Sequence, residues 1–195
     1  MKVKICGITS GEDAAMCEDL GADALGFVCV PGRSRSRPLS EISDMCSSLG
    51  PITAKVLVCN PDSVDSALSM LARSGADVLQ LYSLNPEELA ELREQGARIM
   101  RVVRPSDTDC ARFAANSDAL VFEEGVPGTG SSYDYSIIPQ ELRDRAFIAG
   151  GLNPDNVHLA KAVKPYGVDV SSGVELILGK KDPGRVEAFI RRCRS

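Results

Sequence analysis

The chain has 195 residues, of which 44% are hydrophobic and 25% charged, a balance typical of a soluble globular protein. Its net charge of −5 provides no basic surface for nucleic acid or an anionic membrane, and no run approaches the roughly 18 apolar residues that span a bilayer. Seven cysteines without CxxC spacing predict reduced thiols in the cytoplasm, and the single histidine, His158, argues against a histidine triad or a multi-histidine metal centre. The N-terminus enters a strand pattern at once, so we expect no signal or transit peptide.

A strand-then-helix alternation runs along the whole chain. Short apolar runs predict eight parallel strands, buried on both faces, at Lys2–Cys6, Ala24–Cys29, Ala54–Cys59, Asp77–Leu81, Arg98–Val103, Ala119–Phe122, Ala146–Ala149 and Gly167–Val170. The patterns between and after them predict eight helices, at Glu12–Leu20, Ser40–Leu49, Val64–Arg73, Pro86–Gln95, Asp107–Ala115, Ile137–Arg143, Pro154–Val163 and Pro183–Arg192.

Several helices carry start and stop signals. Ser10 is expected to cap the first helix, and three Asn-Pro pairs place a capping side chain before a proline at the first helical position: Asn60-Pro61, Asn85-Pro86 and Asn153-Pro154. Three glycines follow helices where a left-handed cap is wanted: Gly21, Gly75 and Gly96.

Eight strand–helix units favour a (β/α)8 barrel, or TIM barrel, over an open doubly wound sheet. No linker or low-complexity run divides the chain, so we expect a single domain over residues 1–195. Because such barrels average roughly 250 residues, this one must be of near-minimal length, with short connections.

The carboxyl ends of barrel strands carry the chemistry of this fold. Cys6 ends the first strand, where it is either one more buried small hydrophobe or a reactive thiol. Other polar groups at strand ends are Gln80, Tyr82, Arg101, Arg104, Glu123, Glu124 and Asp169. Cys6, Glu123 and Asp169 could form an acid/base set if burial and neighbours adjust their pKa values, although acids at strand ends often only cap the next loop.

Glycines and serines follow the late strands, where barrels commonly bind phosphate through backbone N–H groups. The candidates are Gly150 and Gly151 after the seventh strand, Ser171, Ser172 and Gly173 after the eighth, and Gly128 to Gly130 after the sixth. Any one of these loops could simply turn the chain, but three at one rim favour a phosphate site. Arg33, Arg35 and Arg37 form a basic loop on an acidic protein; one of them could reach inward over an anionic substrate.

These residues, in this order, resemble the phosphoribosylanthranilate isomerase family of tryptophan biosynthesis. The resemblance covers the whole chain, and its motifs are Lys4-Ile5-Cys6-Gly7-Ile8-Thr9, Gly21-Ala22-Asp23-Ala24-Leu25-Gly26-Phe27-Val28, Gly128-Thr129-Gly130, Tyr133-Asp134-Tyr135, Gly150-Gly151-Leu152-Asn153-Pro154, and Val168-Asp169-Val170-Ser171-Ser172-Gly173-Val174-Glu175. The first and the last are the most specific to the family.

The resemblance implies an Amadori rearrangement of N-(5-phosphoribosyl)anthranilate, with Cys6 as general base and the strand-6 acid as general acid. That acid is an aspartate in the family and Glu123 here, with Glu124 as a rival. It further implies that Arg37, or alternatively Arg35, meets the anthranilate carboxylate, that Asp169 contacts sugar hydroxyls, and that the glycine–serine loops hold phosphate. Gln80 and Tyr82 are expected to contact the substrate.

The expected partner is therefore a small phosphorylated substrate, with no nucleic acid, membrane, cofactor or metal, and the chain is expected to be a monomer or homodimer. The chain departs from the family at Gln80-Leu81-Tyr82-Ser83, where Gln-Leu-His-Gly is usual, and at Gly130-Ser131-Ser132, which lacks the usual lysine. Two alternatives stay open. A related indoleglycerol-phosphate synthase would need a catalytic lysine, for which the core strands offer only Lys4 and Lys55, and a ligand-binding barrel would have no turnover.

Overall fold

The computed structural model describes residues 1–124 and 133–195. Eight parallel strands pair in sequence order and close on themselves, β1 with β8, to form a barrel. The strands are β1 (Lys2–Cys6), β2 (Ala24–Cys29), β3 (Ala54–Cys59), β4 (Val78–Leu81), β5 (Ile99–Val103), β6 (Ala119–Phe122), β7 (Ala146–Ile148) and β8 (Gly167–Val170). The predicted (β/α)8 barrel is confirmed.

Helices connect most of the strands on the outside of the barrel. They are α1 (Gly11–Asp19), α2 (Leu39–Ser47), α3 (Val64–Ser74), α4 (Pro86–Glu94), α5 (Cys110–Ala115), α6 (Val157–Ala162) and α7 (Pro183–Arg194). Among these helices of the described residues, none has both the length and the apolar character that crossing a bilayer requires.

Side-chain caps fix where several helices begin. The hydroxyl of Ser10 accepts a hydrogen bond from the backbone N–H of Asp13, as predicted. Asn85 and Glu88 form the reciprocal capping box at the start of α4, with Pro86 as the first helical residue. The prediction for Asn60-Pro61 is wrong, because Ser63 caps α3 three residues later.

The predicted helix Ile137–Arg143 is also wrong. The segment forms two short 3-10 turns, Tyr135–Ile137 and Gln140–Arg145. Pro139 explains the interruption, because a proline disfavours helical geometry at the residue before it, and Ile138 is extended with ψ 123°. The helix predicted from Pro154 begins only at Val157. The side-chain oxygen Oδ1 of Asn153 caps a preceding turn by accepting hydrogen bonds from the backbone N–H groups of Asp155 and Asn156.

A small hairpin that the sequence analysis does not predict follows β8. Its strands are β9 (Glu175–Ile177) and β10 (Lys180–Lys181), which pair antiparallel. Gly179 makes the turn with φ +81°, a conformation that favours glycine. The hairpin stands at the carboxyl end of the barrel and contributes Leu178 to the cavity described below.

Side chains alternate between two apolar layers because successive residues of a strand point to opposite faces. The layer between strands and helices contains fully buried Val3, Ile5, Leu25, Phe27, Leu57 and Leu79. The barrel interior is filled by a separate cluster of Ala24, Val56, Met100, Val102, Val121, Phe147 and Ala149. Three buried polar residues also face this interior, because their strand neighbours on either side point toward the helices: Lys4, Gln80 and Asp169.

We expect Leu57→Ala to lower the free energy of unfolding by about 2–5 kcal/mol, because it removes a fully buried side chain from a packed layer. Ile52→Ala is the matched control: its side chain is 92% exposed, so a change within about 0.5 kcal/mol is expected. Urea denaturation followed by circular dichroism measures both, and equal effects would contradict the described packing.

Candidate active site

A cavity of about 390 Å³ opens at the carboxyl ends of the strands. It collects most of the polar residues that the sequence analysis singles out from separate strand ends. Those that line it are Cys6, Arg33, Arg35, Gln80, Tyr82, Glu123, Glu124, Asp169, Gly150, Gly151, Ser171 and Ser172. Barrel closure thus brings residues from β1, β4, β6, β7 and β8 to one place, as a parallel barrel requires.

Cys6 enters this cavity from the end of β1. It pairs in register with Gly26 of β2, and Gly7 then turns the chain with φ +73°. A side chain at Gly7 would collide with the Arg35 side chain, because an added Cβ would lie 2.5 Å from its Cδ. Glycine therefore lets the loop leave the strand and lets Arg35 cross above it.

The ionisation of Cys6 depends on opposing effects. Burial raises the pKa of the thiol above its ordinary value, the Lys4 ammonium lowers it, and the Asp169 carboxylate raises it. The net direction in the unliganded protein is upward, so the thiol keeps its proton more readily than a free cysteine. Lys4 is the largest influence in the other direction.

The sequence analysis gives Lys4 no role in the isomerase site and names it only as a possible catalytic lysine of the synthase alternative. Its side chain is fully buried, and its Nζ donates a hydrogen bond of 2.7 Å to Oδ2 of Asp169. The two residues are also register partners across the β1–β8 seam. The available signal is the period of a strand: Lys4 lies two residues before Cys6 and so faces the same side.

Asp169 keeps one oxygen for the cavity. Its Oδ1 is buried and has no hydrogen-bond partner among the described residues, while Oδ2 is held by Lys4. Gln80 is similar, since its buried Oε1 also lacks a partner there. Buried polar atoms without partners are costly, and in a cavity they indicate positions for ligand donors.

Glu123 and Tyr82 form a pair on the opposite side of the cavity. The Tyr82 hydroxyl donates a 2.9 Å hydrogen bond to Oε2 of Glu123. Burial raises the pKa of the Glu123 carboxyl, Asp169 raises it further, and the Tyr82 hydrogen bond opposes the rise. The net direction is upward, which favours a proton-bearing carboxyl as a general acid needs.

The rim beside β7 and β8 has the features of an anion site. Gly150 and Gly151 have φ +92° and +64°, which expose their peptide groups in a turn that favours glycine. Ser171 and Ser172, which follow the neighbouring strand β8, also line the cavity. Gly173 does not line the cavity, and it is packed so closely that an added Cβ would strike the Leu152 carbonyl oxygen. Gly128, the third predicted contact, lies outside the described residues.

Arg33 and Arg35 line the cavity, and Arg37 does not. Arg35 is fixed there by an ion pair with Glu175. Its Nε and Nη2 each donate a 2.7 Å hydrogen bond to the Glu175 carboxylate, which also accepts a 3.0 Å bond from Lys181. This network ties the loop after β2 to the β9–β10 hairpin. The two cations hold the pKa of Glu175 below its ordinary value despite burial, which raises it.

Arg37, for which the sequence analysis predicts a substrate contact, points elsewhere. Its Nε donates to the Thr9 carbonyl oxygen at 3.2 Å and its Nη1 to the Ser36 carbonyl oxygen at 2.9 Å. The residue does not line the cavity, because these backbone contacts hold the guanidinium at the side of the loop. The spacing of alternate arginines in one loop does not reveal which of them turns inward.

The described residues do not form an evident metal-binding site. No group of three or more His, Cys, Asp or Glu side chains there is arranged to hold an ion. All seven cysteines are free thiols.

The profile of the N-(5'-phosphoribosyl)anthranilate (PRA) isomerase family matches residues 3–192. A curated N-(5'-phosphoribosyl)anthranilate isomerase of Methanothrix thermoacetophila is 38% identical over 205 residues, covering 100% of this chain and 98% of that protein. The chain belongs to the PRA isomerase family.

Solved PRA isomerases share the fold over their full length. The crystal structure from Thermotoga maritima has a TM-score of 0.88 and 31% identity, covering 100% of this chain and 98% of that one. A second PRA isomerase structure, in complex with reduced 1-(o-carboxyphenylamino)-1-deoxyribulose 5-phosphate, has a TM-score of 0.85 and 30% identity, with the same coverage. The family assignment therefore rests on sequence and fold together.

We expect Tyr82→Phe to raise the pKa of Glu123, because it removes the hydrogen bond that favours the charged carboxylate. Carbon-13 NMR titration of glutamate-labelled protein measures this pKa, with Glu123→Gln to assign the resonance. Tyr166→Phe is the control, since Tyr166 is 48% exposed and does not line the cavity. A Glu123 pKa that stays the same or falls in Tyr82→Phe would contradict the described pair.

Proposed function

We propose that this chain catalyses the Amadori rearrangement of N-(5-phosphoribosyl)anthranilate to 1-(2-carboxyphenylamino)-1-deoxyribulose 5-phosphate, with Cys6 as general base and Glu123 as general acid. The observation that carries the proposal is one cavity lined by a thiol, a carboxyl with a raised pKa and a glycine–serine rim. The PRA isomerase family, to which the chain belongs, is named for this substrate.

In the first step, Glu123 gives its proton to the furanose ring oxygen of the substrate. The C1–O bond breaks as the nitrogen lone pair forms a C=N bond to C1, which opens the ring. A carboxyl group does this only if it carries a proton near neutral pH, which is what burial of Glu123 favours. Tyr82 holds the same carboxyl in a fixed orientation through Oε2.

In the second step, the Cys6 thiolate removes the proton from C2. The C2–H electrons form the C1=C2 bond, and the C=N electrons return to nitrogen, giving an enolamine. Tautomerisation of this enol gives the ketose product. The base must contact the hydrogen on C2 directly, and Cys6 can do so because it lines the cavity that would hold the substrate.

Binding contacts far from the reacting carbons hold the substrate in place. We assign the phosphate to the rim of Gly150, Gly151, Ser171 and Ser172, and a sugar hydroxyl to the unpartnered Oδ1 of Asp169. For the anthranilate carboxylate we assign Arg35, whose Nη1 takes no part in its Glu175 pair. The monomeric or homodimeric state and the cytoplasmic location stay predictions.

We expect Cys6→Ala and Glu123→Gln each to reduce kcat by at least about a hundredfold with a smaller change in KM, because each removes a proton-transfer group and leaves the anion rim in place. The measurement follows the loss of anthranilate-substrate fluorescence with purified enzyme.

Two controls change the same kinds of group elsewhere. Cys29→Ser changes another partly buried thiol that does not line the cavity, and Glu124→Gln changes the neighbouring carboxyl that does. Both should retain kcat within a few-fold. If Glu124→Gln abolishes turnover while Glu123→Gln does not, the general acid is misassigned; if wild-type protein consumes no substrate, the proposed function is wrong.

We further expect Arg35→Met to raise KM about tenfold or more, because a guanidinium that faces the cavity is lost. Arg37→Met removes a guanidinium of the same loop that faces backbone carbonyls, so its KM should change little. Steady-state kinetics on both variants measure this. If Arg37→Met raises KM more than Arg35→Met does, the residue that binds the anthranilate carboxylate is Arg37.

A further inference from the structure

A full positive charge is enclosed in the barrel interior below the cavity. Lys4 is 0% exposed, and its ammonium is 2.7 Å from one oxygen of Asp169. A buried lysine is costly unless its charge is compensated. The acid/base steps above use Cys6, Glu123 and the rim, so they give no reason for a lysine at this position.

Gly26 shows how near this charge lies to the catalytic sulfur. A Cβ built on Gly26 would lie 2.8 Å from Sγ of Cys6 and 2.9 Å from Nζ of Lys4. Both atoms therefore pack against the same bare backbone position of β2. Any larger residue would push between them, so glycine at position 26 lets the sulfur and the ammonium share this space.

We propose that Lys4 is a positioning residue for proton abstraction: its buried ammonium anchors Asp169 and supplies the positive charge beside which Cys6 can become a thiolate. The inference rests on the proposed function, in which Cys6 is the base. Lys4 itself does not touch the substrate, because it lies beneath the cavity lining.

Lys4 acts through its charge and not as a nucleophile. Burial alone would lower the pKa of the ammonium, but Asp169 and Cys6 together raise it above its ordinary value. A protonated lysine has three donors and no lone pair to attack with.

The charged and titratable groups around Cys6 come from several elements. Besides Lys4 on β1 they are Asp169 on β8, Lys181 on β10, Arg35 in the loop after β2, and Tyr82 just after β4. Lys181 and Arg35 are shared with Glu175, which offsets their charge. Lys4 and Asp169 have the largest opposing effects of charge on the Cys6 thiol, so changing either should shift the pKa of the thiol in a predictable direction.

The experiment measures alkylation of Cys6 by iodoacetamide as a function of pH, with peptide mass spectrometry to separate Cys6 from the other six thiols. The proteins are wild type, Lys4→Met, Asp169→Asn and the double variant. No substrate is needed, so the readout is independent of turnover. Steady-state kcat is then measured across the same pH range.

We expect Lys4→Met to slow Cys6 alkylation at pH 7 at least about tenfold and to move its pH midpoint upward, because the thiolate loses a neighbouring cation. Asp169→Asn should do the opposite, because it removes a neighbouring anion. In Lys4→Met the kcat should fall more than KM changes, and the acidic limb of the kcat profile should move to higher pH. A general loosening of the barrel would not give opposite signs.

The double variant covers the case in which Lys4→Met fails to fold with an unpaired Asp169. It removes both buried charges, and its Cys6 should be alkylated more slowly than that of Asp169→Asn. The inference is overturned if Cys6 of Lys4→Met is alkylated at least as fast as that of wild type, or if Cys6 of the double variant is alkylated at least as fast as that of Asp169→Asn. If the wild-type protein has no isomerase activity, the proposed function is wrong. The alkylation comparison still shows whether Lys4 promotes ionisation of the Cys6 thiol.

Discussion

The ion pair between Lys4 and Asp169 joins the first strand of the barrel to the last. It fixes which face of β1 points inward, and with it the direction of Cys6 two residues later. It also fixes one oxygen of Asp169 and leaves the other toward the cavity. The geometry of the thiol, the carboxylate and the mouth of the barrel therefore depends on one buried contact of 2.7 Å.

The strands could be predicted because parallel strands buried on both faces leave short apolar runs, and each observed strand lies within one residue of its predicted bounds. The failures have local causes. The predicted helix Ile137–Arg143 contains Pro139, and a proline is incompatible with a continuous helix there. Asn60-Pro61 predicts a helix cap, but Ser63 caps α3 instead. An Asn-Pro pair marks a turn as well as a helix start, so the pair alone does not distinguish them.

The site was predictable where the position of a residue at a strand end decides its direction, as for Cys6, Glu123 and Asp169. It was not predictable in loops, where Arg35 turns inward and Arg37 turns to backbone carbonyls. The sequence does not reveal a role for Lys4 in the isomerase site, because a single strand does not show which charge will face its ammonium. The burial of Lys4 is explained by its pairing with Asp169, and the two residues meet only because β1 and β8 pair when the barrel closes.

The pairing also has a consequence for the order of assembly on the ribosome. Lys4 precedes its counter-ion Asp169 by 165 positions in the chain. During synthesis, Lys4 is therefore present before the carboxylate that neutralises it in the folded protein. Closing so long a loop is entropically unfavourable and comes late in folding. In intermediates that lack a docked β8, Lys4 has no buried counter-ion, so its ammonium must stay hydrated until β1 and β8 pair.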